Sequence, residues 1–184
     1  MKFSNNAPKI NNGLKDFIEN NISLIENADF KELYKKAYTI AYSMNGGFSV
    51  GDLTHVLYSI GIDPLEELTY IPAAFFESCD ALVEVDIPVH IEHIDESAFY
   101  DCNNIYSITI PKNVIELASW SLAGCEELRK IVILSDVERI DRLAFSQLPK
   151  LEIIYCTQET ADLIQHTPKL MLYNKDKVKI EVIK

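Results

Sequence analysis

The chain has 184 residues, 48% of them hydrophobic, with 17 basic and 28 acidic side chains and a formal charge of −11. That is enough apolar material for one domain or two small ones, and no apolar run approaches the roughly 20 residues that cross a bilayer. The charge divides as −3 over residues 1–70, −9 over 71–156 and +1 over 157–184. The middle of the chain therefore disfavours phosphate backbones and anionic membranes as ligands.

Residues 1–12 (MKFSNNAPKINN) have no apolar periodicity and read as a flexible arm. They are polar and Asn-rich, unlike a secretory signal, so a cytoplasmic location is expected. From Leu14 a helical spacing begins, with Phe17, Ile18, Ile22 and Ile25 on one side. A second helix places Phe30, Leu33, Tyr34, Ala37, Ile40, Ala41 and Met44 on one stripe and ends at Asn45-Gly46-Gly47. Ser49 and Asp52 make a capping-box pair ahead of a third, with Val50, Leu53, Val56, Leu57 and Ile60 as its buried face. Asp63-Pro64-Leu65-Glu66 starts one more short turn. Two helices around Gly46-Gly47 invite a helix-turn-helix reading, but Ser49–Ile60 contains no Lys or Arg to meet DNA. Residues 13–70 are instead expected to be a helical N-terminal cap.

Residues 71–156 repeat every 23 positions. Cys79, Cys102, Cys125 and Leu148 hold one place; Leu82, Ile105, Leu128 and Leu151 hold the next. Val85, Ile108, Ile131 and Ile154 follow, then Ile87, Ile110, Ile133 and Cys156. Ile71, Ile94, Leu117 and Ile140, and Phe76, Phe99, Leu122 and Phe145, keep the same interval upstream. A fixed period of this size marks a solenoid, because one unit cannot close a core alone. Each unit reads as a strand such as Tyr106–Ile110, a second short extended piece, and one helical turn capped by Asp95 or Asp141.

Ile94-Asp95-Glu96-Ser97-Ala98-Phe99-Tyr100-Asp101-Cys102, followed by Ile105-Tyr106-Ser107-Ile108-Thr109-Ile110-Pro111, resembles BspA-type leucine-rich repeats. Ser121-Leu122 and Leu148 depart from that family's Ala-Phe-x-x-Cys pattern. The resemblance covers residues 71–156 and implies a short right-handed leucine-rich-repeat-like β solenoid of about four coils; with the helical cap before it and a C-terminal cap over 157–184, an α+β chain is expected. In that last segment Thr157 caps a short helix before Pro168, and Leu170–Tyr173 and Val178–Ile183 read as strands.

No chemistry-bearing pattern emerges. The cysteines form a straight column without a Cys-x-x-Cys pair, which suits buried thiols rather than zinc. His90-Ile91-Glu92-His93 reads as a solvated edge. Gly46-Gly47 lacks the phosphate-loop spacing and lysine, so no enzyme activity, cofactor or metal is expected. The exposed face of the strand column is the candidate binding surface. It comprises Glu84 and Asp86, Ser107 and Thr109, Lys130 and Val132, and Ile153 and Tyr155. A non-catalytic protein-protein interaction module is expected, as a monomer or weak oligomer, binding neither nucleic acid nor membrane directly. The alternative is an acidic decoy that inhibits a nucleic-acid-binding protein through Glu84, Asp86, Glu92, Asp95, Glu96 and Asp101. An apolar patch at Val132, Ile153 and Tyr155 could also be covered by the C-terminal segment.

Overall fold

Two stacks of strands, parallel throughout the repeats and joined by a column of turns, enclose the repeat residues. The computed structural model describes every residue except 6, 44–46, 168, 169, 173–176 and 184. A wide sheet runs in the order β1 (Lys2–Phe3), β3 (Leu82–Asp86), β5 (Ser107–Ile110), β7 (Lys130–Ile133), β9 (Ile153–Cys156) and β10 (Lys179–Val182). A narrow sheet contains β2 (Tyr70–Ile71), β4 (His93–Ile94), β6 (Glu116–Leu117) and β8 (Arg139–Ile140). Register follows the sequence period, Ile108 lying beside Ile131 and Ile131 beside Ile154.

The solenoid has about five turns, one more than the period reveals. In the fifth, α5 (Gln158–His166) takes the place of a narrow-sheet strand, and β10 returns parallel to β9 with Lys179 beside Ile153. That offset is 26 residues rather than 23, so the repeat pattern does not detect it. Thr160 anchors α5 on the fourth coil: its Oγ1 accepts from Val137 N–H at 3.0 Å and donates to the Ser135 carbonyl at 2.8 Å. Leu170 and Leu172 are buried, but residues 170–172 form no strand. The expected roles of Met44, Asn45, Gly46, Pro168 and Tyr173 fall outside the described residues.

The turn column departs from the expected helical turns. Ala74, Phe76 and Ser78 donate their N–H groups to the carbonyls of Glu96, Ala98 and Tyr100 in the next coil. Ser97, Phe99 and Asp101 donate in turn to Ser119, Ser121 and Ala123. Left-handed residues make this possible: Ala74 and Ser78, then Ser97 and Asp101, Trp120 and Gly124, and finally Gln147 have positive φ. Each non-glycine residue in that conformation costs roughly 1–2 kcal/mol, which the inter-coil ladder must offset. N–H groups spent between coils cannot close a helix within one.

The inward side chains stack in files. Phe76 and Phe99 lie parallel with centroids 5.1 Å apart, and Phe76 meets Phe75 edge-on at 4.6 Å. Beside them, Cys102 donates its thiol hydrogen to the Phe76 carbonyl at 3.0 Å and Cys125 to that of Phe99 at 3.1 Å. All four cysteines are free and buried. Burial pushes the Cys79 and Cys125 thiols up to about 12 and the Cys102 thiol well above its ordinary value. The thiolate is the nucleophile, so native protein at pH 8 is expected to react with a disulfide reagent only as fast as it unfolds. Adding denaturant should release four thiols at once. Rapid labelling of Cys102 without denaturant would contradict this packing.

Helices α1 (Asn12–Asn20), α2 (Ile22–Glu26), α3 (Phe30–Ala41) and α4 (Val50–Ser59) precede the first coil, with a 3-10 turn at Pro64–Glu66. Asn21 breaks the first helical pattern in two, leaving Ile22 exposed. The Ser49–Asp52 capping box is complete, at 3.1 and 2.9 Å. α4 supplies what a preceding coil would: Thr54 Oγ1 donates to the Phe75 carbonyl and accepts from Tyr34 at 2.7 Å. The Tyr34 ring stacks on Phe75 at 4.5 Å. Gly51 lies against the backbone of Phe76 and Glu77. Lys2–Phe3, within the stretch expected to be a flexible arm, pairs antiparallel with β3, and Phe3 stacks on His55 at 4.8 Å.

Candidate functional site

The outer face of the wide sheet arises from where the inward positions fall. Leu82, Ile105, Leu128 and Leu151 are buried, as are Ile108, Ile131 and Ile154 three residues later. Three residues is not an even step, so strict alternation cannot serve both positions, and the two residues between them turn outwards. Each coil thus shows three side chains rather than two. The first shows Val83, Glu84 and Asp86; the second shows Tyr106, Ser107 and Thr109. Arg129, Lys130 and Val132 follow, then Glu152, Ile153 and Tyr155. All eight residues expected on this face lie on it. The file Val83, Tyr106, Arg129 and Glu152 escapes an alternation argument, which puts Tyr106 inside, although the 23-residue interval after the buried leucine and isoleucine file marks it.

Tyr106 is 58% exposed, with the Arg129 guanidinium 5.8 Å from its ring centroid. Arg129 also forms an ion pair with Glu152. Val132, Ile153 and Tyr155 are half-buried neighbours, Val132 and Tyr155 being in register. Among the described residues, none of β10 lies across them. The C-terminal segment continues the sheet as β10, placing Lys179 beside Ile153 and Glu181 beside Tyr155. The face therefore changes from acidic, through hydroxyl and aromatic, to a basic and apolar centre bordered by Lys179 and Glu181.

The six carboxylates that suggested a decoy do not gather on one face. Glu84 and Asp86 are on the wide sheet, where Lys2 pairs with Glu84. Glu92 and Asp95 flank β4 of the narrow sheet, and Glu96 and Asp101 belong to the turn column. The two histidines also diverge. His90 Nε2 lies 2.8 Å from the Leu65 carbonyl, while His93 Nδ1 is 3.7 Å from Glu116, which Arg139 also engages. Among the described residues no group of three His, Cys, Asp or Glu could hold a metal ion. A separate cleft of about 300 Å³ lies between α3 and the first coil, with Lys31, Tyr38, Tyr70 and Asp95 around it. Burial raises the Asp95 carboxyl above its ordinary value, with His93 opposing that shift and Glu116 adding to it.

No helix among the described residues is long and apolar enough to cross a membrane. Comparison with known families finds BspA type leucine-rich repeat regions in six copies over residues 57–168, more than half of the chain. No curated protein sequence matches. Among solved structures, the pneumococcal vaccine antigen PcpA matches at 16% identity with a TM-score of 0.37, over 60% of this chain and 31% of that one. The chain thus spans about a third of the length of that antigen.

Proposed function

Because the chain belongs to the BspA-type leucine-rich repeat family, we propose that it is a non-catalytic module that binds a protein partner through the outer face of β3, β5, β7 and β9. The observation that carries this reading is the cluster of Val132, Ile153 and Tyr155, half-buried on the outer face and bordered by Arg129, Lys130, Lys179 and Glu181. An apolar and aromatic centre with a charged rim is the composition of a protein interface. The strands beneath are fixed by parallel ladders on both sides. Little backbone freedom is therefore left to lose on binding.

The partner expected here presents an apolar side chain to Tyr155 and an acidic group to Arg129 or Lys130. Replacing Ile153 and Tyr155 together by serine is expected to weaken binding by roughly 30-fold or more, the loss typical of a central aromatic anchor. The melting temperature should stay nearly unchanged. Capture from native lysate, quantified for wild type, this variant and Glu84→Gln/Asp86→Asn, makes the test. A partner lost only with the acidic-end variant would support the decoy alternative, whose carboxylates are otherwise dispersed. A large drop in melting temperature would show that Ile153 and Tyr155 serve the fold instead.

A further inference from the structure

The wide sheet ends differently at its two edges. At one, β1 runs antiparallel and covers β3, with Lys2 opposite Glu84 and ion-paired to it. At the other, β10 has a single strand neighbour, β9, among the described residues. Lys179 N–H donates to the Glu152 carbonyl and Ile183 N–H to that of Cys156. In a parallel pair, residues alternate in the side to which they direct both backbone groups. Lys179, Glu181 and Ile183 therefore face β9, whereas Val178, Ile180 and Val182 direct their N–H and C=O groups to the open edge.

Such an edge is a template for another strand, and its own sequence selects which. An antiparallel pairing about a two-fold axis can centre on either kind of pair, which allows any residue from 178 to 182, but centring on Lys179 or Glu181 sets that charge against itself. Centring on Val178 sets Lys177 against Lys179 of the other copy, a like-charge clash. Centring on Val182 sets Glu181 against Ile183 and gains no ion pair. Centring on Ile180 sets Lys179 against the other copy's Glu181, twice over. Val178 then meets Val182 and Ile180 meets itself on the inner face, where Val182 is otherwise 44% exposed. Lys179 against Glu181 is a non-hydrogen-bonded pair, the closer of the two antiparallel geometries, in which opposite charges attract most.

We infer that the β10 edge binds the β10 edge of a second copy of this chain, antiparallel and centred on Ile180, making one continuous twelve-strand sheet from the two six-strand sheets. The Lys2–Glu84 contact on β1 uses the same device within one chain. Four residues of strand bury less than the ~1,000 Å² of a stable interface, so the dimer is weak and depends on concentration and salt. It leaves the outer face open and places two copies of that face side by side.

Sedimentation velocity on the full chain, from low micromolar to millimolar protein, reads the prediction. Wild type should pass from monomer to dimer. Lys179→Glu or Glu181→Lys alone sets like charges opposite each other and should weaken association by about tenfold or more. The double variant Lys179→Glu/Glu181→Lys should restore the dimer. An equimolar mixture of the two single variants should form heterodimers, because each copy then presents the charges that the other lacks. Melting temperatures check that each variant is folded, and where one single variant is not, the other single variant set against the double variant decides. A wild type that stays monomeric at millimolar protein overturns the inference. So does a dimer that ignores these charge reversals, which would place self-association on another surface.

Discussion

Replacing Gly51 by leucine should destabilise the protein by about 3 kcal/mol or more, near or beyond the usual upper end of overpacking costs. The reason is the absence of room. A Cβ at this position would overlap the Glu77 carbonyl oxygen and lie 2.9 Å from the carbonyl carbon of Phe76. Both obstacles are backbone, held in place by the ladder that passes from Phe76 and Ser78 to Ala98 and Tyr100. The helix must move instead, and moving it removes the Thr54 hydroxyl from the Phe75 carbonyl. For a chain of this size the melting temperature should fall by roughly 6–12 °C. Gly51→Ala should fall between wild type and leucine, although alanine favours an isolated helix over glycine by about 1 kcal/mol. Thermal denaturation of the three proteins checks the order. A more stable alanine variant would mean that α4 does not dock on the first coil as described.

Truncating Phe99 to alanine is expected to cost about 3–5 kcal/mol, the range for a fully buried aromatic. Phe99 is wholly buried, and its ring stacks on Phe76. Its backbone is fixed on both sides: the N–H reaches Ser121 and the carbonyl accepts the Cys125 thiol. The main chain therefore cannot close on the cavity, which keeps the cost high in that range. Urea unfolding should show a lower midpoint with an unchanged slope if one cooperative unit persists. A cost under about 1 kcal/mol would show that the file collapses around the gap, contrary to the rigidity argued here.

The sequence carries the inward files plainly, because a residue that must meet its copy in the next coil can only recur at a constant interval. Cysteine at 79, 102 and 125 and isoleucine at 108, 131 and 154 are legible for that reason. The turn conformation is not. Ala74, Ser97, Asp101, Trp120 and Gln147 hold left-handed backbone, and only Gly124 among those recurring positions announces it by residue type. Their conformation is imposed by hydrogen bonds to neighbouring coils, a tertiary cause with no local signature. The fifth coil is hidden by its helix and its longer interval. On the candidate face, simple alternation hides Tyr106 and Arg129, because Ile105 and Leu128 break it by occupying the core themselves.

The turn ladder has a direction, since the first three coils each give N–H groups forward to carbonyls of the next. One end of that column consequently shows bare carbonyl oxygens and the other bare N–H groups. The structure meets the first with the Thr54 hydroxyl, a donor; whatever covers the second must accept. The two ends cannot exchange coverings, yet neither senses how many coils lie between them. Length is therefore a free variable that changes in whole coils: a duplicated 23-residue coil would inherit matching partners above and below, while a coil of another length must place its extra residues outside the files, as the 26-residue step to β10 does through α5.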